Sequence, residues 1–127
     1  MITILPLKDK QKADDIRAKN DIPNSAILLA MQDKEELLGF SAVELEHSTL
    51  IILKLNALEY DFVQKPNPEQ SFILDSLIRS SASYGENFGA QAIQTSFPDF
   101  FDFMKARGFS ADETHTYTAI GTLVKYK

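Results

Sequence analysis

Apolar and polar positions come in blocks along this chain, and the blocks lay out its elements. Residues 2–5 are a short β-branched and apolar run closed by Pro6, which predicts a first strand that cannot lie in a sheet interior. A helix follows, with Asp9 placed to cap it, Lys10 and Asp14 four apart as an ion pair, and a thin apolar stripe of Ala13 and Ile16; Asn20 and Pro23 stop it. Residues 26–31 are nearly all apolar, which suits a strand covered on both faces. Residues 37–46 alternate more loosely, and the polar stretch 33–36 between these runs predicts an antiparallel hairpin. After a turn at residues 46–49, residues 50–58 form the most apolar strand and belong at the sheet centre.

The text then turns polar, and Lys65 to Gln70 spells a helix start. Asn67 is the cap, Pro68 takes the first helical position, and Gln70 stands where a capping box needs its reciprocal side chain. Ile73, Leu74, Leu77, Ile78 and later Tyr84 and Phe88 make an apolar face, while Ser80, Ser81, Ala82 and Ser83 keep the second half slim enough to lie close on a sheet. Asp75 and Arg79 read as a surface pair at i, i+4. Gly85 and Gly89 loosen the helix end, and residues 92–95 predict a short strand. Ser96 and Asp99 open another helix, bearing Phe97, Phe100, Phe101 and Phe103 as core mass; Gly108 in a left-handed cap would bring Phe109 onto Met104. Residues 114–126 read as one long strand or two short ones at a sheet edge. The order is strand, helix, three strands, helix, strand, helix, strand: an α/β (α+β) arrangement on a mixed sheet.

Composition narrows the function classes. A length of 127 residues fits a single domain, 1–127, with one core. The absence of cysteine removes disulfides and thiolate chemistry and accords with a reducing compartment. With no leader pattern and no apolar run near the ~18 residues of a membrane span, a cytoplasmic location without membrane contact is expected. A net charge of -5 argues against nucleic acid, and Lys8, Lys10 and Lys12 are diluted by Asp9, Asp14 and Asp15. His47 and His115 lack spaced partners, so no metal is expected, and no nucleophile elbow, P-loop or dinucleotide glycine pattern occurs.

With its elements in this order, the chain resembles the GNAT superfamily of acyl-coenzyme A-dependent acyltransferases over nearly its whole length. The most specific likenesses are residues 71–89, similar to the family's long helix after the central strand, and Met104-Lys105-Ala106-Arg107-Gly108-Phe109, similar to the ending of its last helix. Residues 68–79 look like a divergent bacterial branch of it. The resemblance implies a GNAT-like fold, acetyl-CoA or coenzyme A as acyl carrier, and a thioester beside residues 55–58. Ala57, Leu58, Lys65, Asn67 and Gln70 are then the cofactor-binding candidates. It also implies a base near the end of the central strand, for which Glu59 is nearest and Asp61 next, although a solvated loop carboxylate is the plainer reading of each.

The working parts depart from the family pattern. In the glycine-rich phosphate loop, Lys65 takes the first position, Pro68 replaces the first glycine and Gln70 the second, so an N–H is lost and Glu69 sets a negative charge at the helix mouth. Met104 stands where a tyrosine would protonate the leaving thiolate, and Phe97 where an asparagine is common. Two functions follow as expectations. One is an N-acyltransferase acting on a small-molecule or peptide amine; the other is a GNAT-like binding or assembly module that has lost catalysis, plausible as a homodimer.

Overall fold

The computed structural model describes residues 2–34, 36–57 and 67–95, and the backbone of 110–111 and 116–119. The expected helix over residues 96–107, with its Gly108-Phe109 ending, lies outside the described residues.

The described elements are β1 (Ile2–Pro6), α1 (Lys10–Asn20), β2 (Ile27–Asp33), β3 (Glu36–Glu46), β4 (Thr49–Ala57), α2 (Pro68–Asn87), β5 (Ala92–Thr95), β6 (Ser110–Ala111) and β7 (Thr116–Ala119). They follow the predicted order as far as they are described, with boundaries one or two residues from those expected. The exception is β6, which lies ahead of the predicted run 114–126. All strands join one mixed sheet in the order β1-β2-β3-β4-β5-β7-β6. Its pairs are antiparallel except β4 with β5, which are parallel because α2 carries the chain back across the sheet.

Each helix is held by the chemistry expected of its ends. Asp9 accepts the Lys12 N–H at 3.2 Å to cap α1, and Lys10 Nζ meets Asp14 at 3.2 Å one turn on. The helix closes with Asp21 in the left-handed region and the Ile22 N–H reaching back to the Arg17 carbonyl at 2.9 Å. In α2 the cap is reciprocal: the Gln70 N–H donates to Asn67 Oδ1 at 2.7 Å and the Asn67 N–H to Gln70 Oε1 at 3.0 Å, with Pro68 at the first position. A Schellman ending closes α2, with Gly89 at φ 90°, its N–H on the Glu86 carbonyl and the Ala90 N–H on that of Gly85 at 2.9 Å.

The sheet is covered on both faces. On one side α1 brings Ala13 onto Leu28, Phe40 and Ala42; on the other, Ile73, Leu74, Leu77, Ile78 and Ala82 of α2 pack on Leu29, Met31, Val43, Leu50, Ile52, Leu55 and Ile93. The slim half of α2 does lie close. Ser81 is buried and donates to Ser41 Oγ of β3 at 2.8 Å. Two expectations for α2 need correction. Phe88 is 63% exposed, because it falls after the last turn, where its ring leans on Tyr84 with centroids 4.8 Å apart instead of entering the core. Arg79 makes no ion pair with Asp75 and no side-chain hydrogen bond among the described residues. Arg79 is exposed and lines a groove with Ile4 and Leu29.

Candidate active site

The candidate site begins with a phase slip in β4. Its side chains facing α2 are Leu50 and Ile52, then Leu55 and Ala57, so the even-numbered positions give way to odd. The cause is a bulge. Val43 pairs with Ile52 but Ala42 with Lys54, leaving Leu53 as the extra residue, and Leu53 packs with the cluster under α1. A bulge bends its strand and increases the local twist, and this one sits where β4 parts from β5.

The parallel ladder holds for only three pairs, Thr49 with Ala92, Leu50 with Ile93 and Ile51 with Gln94. Immediately beyond it the Thr95 hydroxyl donates to the Ile52 carbonyl at 2.8 Å, and both groups are buried. That bond satisfies the first carbonyl past the ladder and fixes where the strands separate. Among the described residues no strand pairs with residues 53–57 on the β5 side.

The far end of β4 is tied to α2. A Cβ on Gly39 of β3 would run into the Asn56 carbonyl oxygen and stand 2.9 Å from Ile73 Cγ2 and 3.3 Å from Ala57 Cα. Glycine thus lets β3, the end of β4 and the first turns of α2 meet in one tight corner. At the mouth of α2, Pro68 has no N–H, the Gln70 amide is taken by Asn67, and the Ser71 N–H is taken by the Asn67 carbonyl at 2.9 Å. Glu69 is left with the one first-turn amide lacking a partner among the described residues, beside its own exposed carboxylate.

The sequence-predicted candidates fall as follows. Ala57 is fully buried in the core under α2, so its side chain cannot meet a ligand. Asn67 is exposed and Gln70 half-buried, and the capping box brings these two together. Leu58, Glu59, Asp61, Lys65, Phe97 and Met104 lie outside the described residues. Sequence reasoning missed Leu53, Thr95 and Gly39. A lone glycine within a strand run was the available signal for the close approach at Gly39. Leu53 gave none, because residues 50–53 are apolar throughout and the slip of phase leaves no mark.

No family model and no curated protein matches this sequence. Solved structures do. The aminoglycoside 6'-N-acetyltransferase of Enterococcus faecium superposes with a TM-score of 0.65 at 12% identity, over 93% of this chain and 97% of that one. The ribosomal-protein-S18-alanine N-acetyltransferase of Escherichia coli gives 0.65 at 10% identity, over 94% of each chain. The PaiA N-acetyltransferase of Thermoplasma acidophilum, solved with coenzyme A, gives 0.55 at 15% identity, over 87% of this chain and 68% of that one. This chain has the GNAT fold. Its GNAT architecture includes the mixed sheet and the long helix after the central strand that the sequence predicts. At these identities the likeness fixes architecture, and the named acceptors of those enzymes already differ from one another.

Proposed function

We propose that the protein is an N-acyltransferase that moves an acyl group from acyl-coenzyme A to an amine. The observation that carries this reading is the parting of β4 from β5 ahead of residues 53–57, marked by the end of the parallel ladder at Ile51, the Leu53 bulge and the Thr95–Ile52 bond. An extended carrier arm containing amides would lie where the two strands part and bond to backbone there as an added strand does. In such a reaction the amine nitrogen attacks the thioester carbonyl, forming a C–N bond. The C–S bond then breaks, and the amine's proton passes to a base while the thiolate leaves. The gap between the strands would orient the carbonyl toward the amine, and positioning of this kind carries much of the rate of such a transfer. Glu59 is the base we assign, from its place just after β4, and Lys65 with the Glu69 N–H would meet the carrier's phosphates.

Fit to the carrier is poor at the start of α2. Anion binding at a helix start depends on free N–H groups, and the capping box leaves one in the first turn among the described residues. We therefore expect weak binding, near the millimolar range. Isothermal titration with acetyl-coenzyme A and coenzyme A, each to several millimolar, tests the reading. Saturable heat for both supports it, whereas no heat together with no thermal shift defeats it.

The occupied helix mouth also favours a second reading. The domain would keep the GNAT scaffold as a binding or assembly module, cytoplasmic and homodimeric through a sheet edge, without acyl transfer. A concentration-independent dimer that ignores coenzyme A would support it; a monomer that binds acetyl-coenzyme A would end it.

A further inference from the structure

A groove with no β4 residue among its described lining lies on the α2 side of the sheet. The helix packs mainly on β2, β3 and β4, and between its C-terminal half and β1 lies a space of about 320 Å³. Its floor is apolar, made by Ile4, Pro6 and Leu29. One wall is a stripe of α2 at helical spacing, with Arg79, Ser83 and Asn87 in one row and Ser80 and Tyr84 in the next. The start of α2 is distant, since Arg79 stands about 18 Å along the axis from Asn67 at 1.5 Å per residue.

The charge of this groove is unlike that of the chain. The protein carries a net -5, yet the described residues lining the groove include a guanidinium and no carboxylate. Arg79 is also not consumed by the structure, since among the described residues it has neither an ion pair nor a side-chain hydrogen bond. A planar fork of donors flanked by two serine hydroxyls and an amide, over an apolar floor and a tyrosine ring, matches an anionic head on a hydrocarbon body. Size agrees. A cavity of about 150 Å³ accommodates benzene, so this groove has room for a phenyl ring and a carboxylate.

We propose that the groove between β1 and the C-terminal half of α2 is a second ligand site, for a small carboxylate with an apolar body. Its openness to solvent sets the affinity at the millimolar level. The test uses the full chain, labelled with nitrogen-15, and 3-phenylpropanoate as the probe, read by amide chemical shifts with and without saturating coenzyme A. The expected result is saturable movement at Ile4, Leu29 and residues 79–87, unchanged by coenzyme A, with 3-phenylpropanol at least tenfold weaker. Arg79→Gln, at an exposed position where folding is not at stake, should weaken the carboxylate at least tenfold, and Ser83→Phe should fill the groove and abolish binding. Equal binding of the alcohol, an unaffected Arg79→Gln variant, movement confined to other surfaces, or no movement at 20 mM would each overturn the proposal.

Discussion

At single residues the fold turns on small side chains where α2 meets the sheet. Gly39 is the sharpest case, because the atoms a Cβ would strike include backbone of β4 that cannot turn aside. Gly39→Ala should cost about 1 to 3 kcal/mol, the range for overpacking a close-packed contact, seen as a lower urea midpoint with unchanged slope. The buried Ser81–Ser41 bond gives a prediction with an asymmetry. Ser41→Ala leaves Ser81 able to donate back to the carbonyl one turn before it on α2, whereas Ser81→Ala strands the Ser41 oxygen under the helix. Ser81→Ala should therefore be the costlier, by about 1 to 2 kcal/mol, and the double variant should cost less than the sum of the singles. A sum that is strictly additive would show the two hydroxyls to be independent.

Two elements, β4 and α2, bring the candidate site together, and each yields a test. Thr95→Val keeps the shape of the side chain but removes the donor on the Ile52 carbonyl. It should cost about 1 to 2 kcal/mol and speed hydrogen exchange in β5 more than in β2 or β3. At the other end of the site, Asn67→Ala should lower stability by about 1 kcal/mol and Asn67→Gly by only a few tenths. Asn67→Gly with Pro68→Gly would free the Gln70 amide and restore a missing N–H, so coenzyme A affinity should rise several-fold even as the helix loses some stability. Weaker binding by that pair of changes would mean that the Asn67 side chain itself holds the ligand. Much of this level was legible in the sequence. Asp9, Lys10 with Asp14, Asn67, Pro68 and Gln70 act on neighbours within a turn, so their roles depend on spacing alone.

Over the whole molecule, the strand order along the chain and both covered faces followed from blocks of apolar residues. What stayed hidden are contacts between positions far apart in sequence. The Thr95 hydroxyl lies 43 residues from the carbonyl it binds, and the Ser81–Ser41 pair spans 40. Phe88 misled for a related reason: helical periodicity continued past the point where Gly89 ends the helix. Arg79 looked like half of a surface pair because spacing at i, i+4 brings two side chains within reach without making them meet. The functional account rests on the same kind of long-range feature, a central strand that parts from its neighbour at the Leu53 bulge. The most direct test is an amide-shift map of the nitrogen-15 protein titrated with acetyl-coenzyme A. The account predicts saturable shifts concentrated at residues 53–57 and 67–70; saturation without movement at residues 53–57, or no movement at several millimolar ligand, would contradict it.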